Sequence, residues 1–186
     1  MAYVSLVERP KGLIPRMAAR YSRRRFGRDV EPVQAGAHHS GVLAAAGLLE
    51  TAAEKGWNKL DTHLMLLAVQ ASAGMIGCSW CTDFGYYESL QLGQDPAKVR
   101  DVPDWRHSEV FSERERVVLE YAEAASVTPV VISDDLVARL HEHFNEGEIV
   151  ELAAWVALEN YRSRFNAGLG LHSQGFSDSC KVPVTA

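Results

Sequence analysis

From Leu60 onward, Leu64, Leu67, Ala68, Ala71 and Met75 recur at the spacing of one helix face, which predicts a buried helix. Asn58 or Asp61 supplies a cap at its start, and Gly74 and Gly77 let the chain bend just ahead of Cys78. A second helix is expected over 79–92, ending at Gly93, with Cys81, Phe84, Glu88 and Leu92 on neighbouring turns. Asp95-Pro96 has the form of an N-cap followed by proline at the first helical position. Ser112 with Glu115 forms a capping box ahead of the stripe Val117, Val118, Tyr121 and Ala125. An amphipathic helix follows over 133–144 through Leu136, Val137 and Leu140. Asn145 with Glu148 makes a second capping box, which opens a long stretch carrying Ile149, Leu152, Ala153 and Val156. Upstream, the alanine- and leucine-rich stretch 40–55 is helical in character. The one candidate strand, 127–132, contains Pro129 and lacks clean alternation. There is no internal repeat, so the expectation is an all-α, single-domain helical bundle.

Composition narrows the partners. The chain has 186 residues, 47% of them hydrophobic and 23% charged, enough for a core without staples. A net charge of -5 argues against a nucleic-acid partner, which needs a basic face. No apolar run approaches the roughly 20 residues that span a bilayer, so no membrane association is expected. Arg16, Arg20, Arg23, Arg24, Arg25 and Arg28 crowd the N-terminus without the apolar core of a signal peptide. A cytoplasmic location is the expectation. With Pro10, Pro15 and Pro32, residues 1–35 are expected to form an irregular basic arm, with 16–26 as its only short helix.

Three cysteines make an odd count and a poor disulfide framework. Cys180, beside Lys181 near the C-terminus, has no expected role. Cys78 and Cys81 differ, because the sequence puts Cys78-Ser79-Trp80-Cys81 at a helix start. Unpaired N–H groups and the positive end of the macrodipole favour a thiolate there. Three-residue spacing on a helix brings the sulfurs within bridging distance. Trp80 between them restricts solvent or forms part of a docking surface. The bland alternative is a pair of buried cysteines acting as small hydrophobes. Zinc is a weaker reading: there is no second CxxC, and His38-His39 and His141-x-His143 do not supply the missing ligands. No metal and no cofactor are expected.

Residues 60–176 resemble the carboxymuconolactone decarboxylase-like superfamily, in its alkylhydroperoxidase D-like branch. Gly77-Cys78-Ser79-Trp80-Cys81-Thr82-Asp83-Phe84-Gly85 is similar to that branch's Gly-Cys-x-aromatic-Cys-x-Asp segment. The stretch from Glu151-Leu152-Ala153-Ala154 through Asn160-Tyr161-Arg162-Ser163-Arg164-Phe165-Asn166 to Leu169-Gly170 resembles its closing helices. The resemblance implies that 36–186 form the family's all-helical domain and that the protein is a homo-oligomer, a trimer or hexamer. It also implies a thiol-disulfide oxidoreductase that reduces a small-molecule hydroperoxide or disulfide. Cys81 would be the peroxidatic thiol and Cys78 the resolving one, with a dithiol protein as reductant. Thiolate, sulfenic acid and disulfide then follow one another reversibly.

Two positions depart from the branch. Its peroxidase members carry a histidine four residues after the second cysteine, where this chain has Gly85, and a glutamate twelve residues before the first, where it has Leu66. Those side chains relay protons to the thiol. Candidate substitutes are Asp83 at the motif's acidic position, Glu88 two turns beyond Cys81, and His63 nearly a turn before Leu66. Tyr86 and Tyr87 offer hydroxyls but suit core packing better. Glu159, Asn160, Arg162, Arg164 and Asn166 put polar groups into an apolar helix; tying subunits together through buried hydrogen bonds is their favoured role, and lining a pocket the other. His172 stands too near a helix end to assign. Two other functions remain open: a lactone decarboxylase-like enzyme of the same superfamily, and a non-catalytic stress-response or binding homologue.

Overall fold

The structure, a computed structural model, describes residues 2–180. Among them are nine α-helices and no strand: α1 Leu13–Phe26, α2 Glu31–Gly36, α3 Ser40–Gly56, α4 Thr62–Ile76, α5 Ser79–Gln91, α6 Pro96–Asp101, α7 Glu113–Ala124, α8 Asp134–His143 and α9 Glu146–Gly168. The all-α expectation holds.

Capping chemistry sets most of the boundaries. Asp61 accepts the His63 and Leu64 amides at the start of α4, and Asp95 accepts that of Ala97 at α6. Both capping boxes are formed, Ser112 with Glu115 at α7 and Asn145 with Glu148 at α9. Gly77 ends α4 in the left-handed conformation, φ 80°, which a side chain disfavours. That turn delivers Cys78 directly to the start of α5.

Helix α4 is the central element, packed against α5, α7 and α9. Its Leu64, Leu67, Ala68 and Ala71 meet Val117, Val118 and Leu119 of α7 and Leu152, Trp155 and Val156 of α9 in one apolar core. A smaller cluster lies at the other end of α4–α5, where Val30, Ala73, Cys78, Trp80, Cys81 and Phe176 pack together.

The N-terminal expectation needs correcting. Residues 1–35 are not mainly irregular: α1 begins at Leu13, because Pro15 falls in its first turn, where the missing N–H costs nothing. Nor do these residues stand apart, since Val30 lies in the same cluster as the two cysteines. The segment 127–132 is a connection rather than a strand.

Candidate functional site

Cys78 is the N-cap of α5, and its Sγ accepts the Cys81 N–H at 3.2 Å. A sulfur in the place of a capping oxygen receives the field of the helix end, which favours its anionic form. Cys81 sits one turn on, Cα–Cα 5.3 Å away, and the two are joined as a disulfide. Cys78 is 1% exposed and Cys81 7%, so both residues are buried and Cys81 the less deeply. Thr82 fixes the turn by donating its hydroxyl to the Cys78 carbonyl at 3.1 Å.

Asp83 holds a roof over the pair. Wholly buried, it accepts the amides of Gln174 (2.9 Å), Phe176 (3.0 Å) and Ser177 (2.7 Å) and the Ser177 hydroxyl (2.7 Å). Burial alone would raise its pKa, but hydrogen bonds from Ser177, Phe176 and Ser173 more than offset that and hold it below the usual carboxylate value. Asp83 is therefore an ionised clamp, not the proton acceptor the motif suggested. Gln174 continues the roof: its Oε1 accepts Trp80 Nε1–H at 2.8 Å and the Glu31 amide at 2.9 Å. Arg28 of the basic arm donates to the Gln174 carbonyl at 2.7 Å and covers the Phe176 ring. Trp80, stacked on Phe84, is thus a wall of the site.

Helix α9 supplies the other wall. Glu159, Ser163 and Asn166 lie on one face at i, i+4 and i+7. Asn166 Nδ2 donates to Cys81 Sγ at 3.3 Å, and Ser163 Oγ donates to Glu159 Oε1 at 2.5 Å. Glu159 is 3% exposed. Burial pushes its pKa up to about 7, against the pull of the neighbouring Arg162 and the Ser163 hydrogen bond. Arg162 is clamped between Glu159 and Glu50, which accepts its Nε at 2.8 Å and its second terminal nitrogen. Asn160 and Arg164 instead bind Ser126, tying α9 to the end of α7.

The proposed substitutes fare differently. Glu88 is half-buried, 3.9 Å from Arg25. Burial raises its pKa, Arg162 and Arg25 lower it, and Glu54 and Glu50 raise it further. His63 is exposed in the first turn of α4, about 20 Å along that helix from its Cys78 end. The structure does not bring it to the cysteines. Tyr86 is buried, its hydroxyl pushed up to about 12 by burial, while Tyr87 packs beside Phe176. His172 is exposed. The Cys180 side chain lies outside the described residues.

A residue the sequence reading passed over stands where the branch's histidine would be. A Cβ on Gly85 would overlap Nε2 of Gln70 and stand 2.9 Å from its Cδ. Gln70, on α4, thus fills the space one turn beyond Cys81. Its signal was a lone carboxamide inside the apolar run from Leu64 to Met75. Leu66, at the glutamate position, is buried.

Comparison with known proteins places this geometry. The model of the carboxymuconolactone decarboxylase family matches residues 42–124. YnjA of Escherichia coli is 33% identical over 171 residues, 92% of each chain. The chain belongs to the carboxymuconolactone decarboxylase family. Within that family its fold is found in the alkylhydroperoxidase AhpD core of a peroxidase-related protein from Ralstonia eutropha. That structure superposes with a TM-score of 0.80 at 16% identity, over 97% of this chain and 99% of that one. The debrominase Bmp8, as a cysteine-to-alanine variant in complex with 2,3,4-tribromopyrrole, superposes at 0.82 and 18% identity over 97% of each chain. At such identities the likeness is one of fold. Relative to the family's peroxidase pattern, this chain keeps both cysteines at the helix start and exchanges the relay histidine for a glycine backed by Gln70.

Proposed function

We propose that the protein is a thiol-disulfide oxidoreductase in which Cys81 attacks a small-molecule substrate and Cys78 resolves the product. The observation that carries this is the bridged pair at the first turn of α5, with the Asn166 amide aimed at the Cys81 sulfur. With a hydroperoxide, the Cys81 thiolate attacks the terminal oxygen, forming an S–O bond as the O–O bond breaks. The alkoxide takes a proton and leaves as an alcohol, and Cys81 becomes a sulfenic acid. Cys78 then attacks the Cys81 sulfur, the S–S bond forms and water leaves. A dithiol protein returns two electrons by thiol exchange. Asn166 stabilises charge on Cys81, and the cap position stabilises Cys78 when the bridge is cut. The carboxyls whose pKa burial raises, Glu88 two turns along α5 from Cys81 and Glu159 two turns along α9 from Asn166, are the proton carriers of this reading.

The test is peroxide consumption under a dithiol reductant. Cys81→Ser abolishes it, and Cys78→Ser stops after one oxidation. Wild-type rates in both variants would end the proposal.

A second substrate class is suggested by the shared fold with debrominase Bmp8. Replacing C–Br by C–H is a two-electron reduction: two thiols become the disulfide while bromide and a proton are released. Bromide release from 2,3,4-tribromopyrrole by the reduced protein, compared with hydroperoxide turnover, distinguishes the two.

Assembly as a homo-oligomer is part of the same proposal. Of the 17 residues of α3 only Ala53 is buried, while Val42, Leu48 and Leu49 stand exposed, as do Leu13, Met17 and Tyr21 of α1, which packs against α3. Apolar surface of that extent on contacting helices suits a second copy of the chain.

A further inference from the structure

We propose that the Gln174 side chain is the latch of a gate over the disulfide, and that opening of this gate sets how fast a thiol reductant reaches the sulfurs. Both cysteines are buried, Cys78 at 1% and Cys81 at 7% exposure. Thiol exchange needs a thiolate in direct contact with a disulfide sulfur, so a buried bridge exchanges only while a covering element is displaced.

The elements around the pair differ in how firmly they are held. Ala73 of α4, Asn166 of α9, Val30 and the roof residue Phe176 all stand there. Helices α4 and α9 are fixed by the main core, through Leu67 and Ala68 of one and Leu152 and Val156 of the other. The Val30 amide is tied to Ser22 of α1 at 3.0 Å. Residues 173–176 of the roof are irregular, and only Phe176 among them enters the apolar cluster of the cysteines. Its remaining ties are polar. Asp83 anchors the Phe176 and Ser177 end, as described above. The Gln174 side chain fastens the other end. Its Oε1 accepts Trp80 Nε1–H at 2.8 Å and the Glu31 amide at 2.9 Å, while its Nε2 donates to the Asp29 carbonyl at 3.3 Å. One side chain thus joins the roof to the wall residue Trp80 and to the N-terminal segment. From outside, exposed Arg28 donates to the Gln174 carbonyl at 2.7 Å.

Among the described residues, the hydrogen bonds to the two sulfurs come from the Cys81 amide and Asn166, none from the roof. The roof's bonds are therefore the same with the bridge formed or broken. The latch governs the rate of exchange and leaves the redox equilibrium where it is. In the open state the incoming thiolate bonds to one cysteine sulfur as the S–S bond breaks, and the other cysteine leaves as a thiolate. The reductant's second thiol then attacks the mixed disulfide, freeing the first cysteine, and the reductant departs as its own disulfide with two electrons fewer. The gate rests on the thiol-disulfide reading only for its physiological use; exchange with a synthetic dithiol does not require turnover.

The experiment is reduction of the oxidised full chain by dithiothreitol, with the freed thiols alkylated and counted by intact mass. Gln174→Ala, which removes three side-chain hydrogen bonds, should speed reduction roughly tenfold or more, and Arg28→Ala should speed it to a lesser extent. End points in a buffer of reduced and oxidised dithiothreitol should agree among the three proteins. Val118→Ala, a core truncation in α7, should lower stability and leave the reduction rate unchanged. Equal rates in wild type and both roof variants overturn the proposal. So does an end-point shift as large as the rise in rate, since the bridge itself would then have changed. An acceleration by Val118→Ala equal to that of Gln174→Ala overturns it too, because unfolding of the whole chain would then be the route. A bridge that dithiothreitol opens at latch-dependent rates but no peroxide closes would defeat the thiol-disulfide reading and leave the gate standing.

Discussion

Asn166 donates to Cys81 Sγ across 3.3 Å, linking the last turns of α9 to the first turn of α5. A hydrogen bond to an ionised partner is worth roughly 1.5–3 kcal/mol. Asn166→Leu should therefore slow reaction of the reduced protein with iodoacetamide at Cys81 by about tenfold or more. Cys78 should be affected far less. Equal rates in wild type and variant would mean that the amide does not act on the sulfur.

Asp83 gathers three backbone amides and a hydroxyl from the chain that roofs the disulfide. Asp83→Ala leaves those donors buried and unpaired, and about 3 kcal/mol of stability should be lost. Its pKa is lower in the folded protein than the usual 3.8. Its contribution is therefore complete above that value and lost as pH falls through the folded one. Urea melts should show a shallower acid-side loss of stability in the variant below about pH 4.

The contact between Gln70 and Gly85 is a double-mutant cycle waiting to be run. Gly85→Ala forces the Gln70 carboxamide to move and should cost on the order of 1–3 kcal/mol. Adding Gln70→Ala should recover much of that loss, with a coupling of about 0.5–3 kcal/mol between the two sites. Strictly additive effects in denaturant titrations would show that the side chains do not compete for the same space.

Glu159 carries the reverse pH dependence. Its folded pKa of about 7 lies above the ordinary 4.5, so the folded protein binds the proton more tightly than the unfolded chain. The benefit is present at low pH and is lost as pH rises between about 4.5 and 7, on the order of 3 kcal/mol in all. Glu159→Gln should flatten the stability profile across that window. An unchanged profile would show that another group titrates there.

Helix starts were legible because side-chain caps are local: Ser112, Ser133 and Asn145 each bind an amide three residues on. The cysteine pair was legible for the same reason, since its spacing and the helix start are both written in a few residues. Contacts between distant segments were not. Asp83 resembled a motif acid until the chain some 90 residues later was seen to fill both its oxygens. His63 was placed near the cysteines by assuming a suitable rotation of α4, yet it sits at that helix's far end. Asn166 was noticed but given no partner, because nothing local says that α9 ends against Cys81. The basic N-terminal residues looked detached because the site of the contact between Arg28 and Gln174 is set by packing across the whole chain.

The most direct test of Cys81 as the attacking thiol is the mass of the reduced Cys78→Ser protein after one equivalent of a hydroperoxide. The expected result is the added mass of one oxygen atom on Cys81, convertible to a dimedone adduct, with Cys180 unmodified. A protein that gains no oxygen there, or gains it equally in Cys81→Ser, contradicts attack by that sulfur.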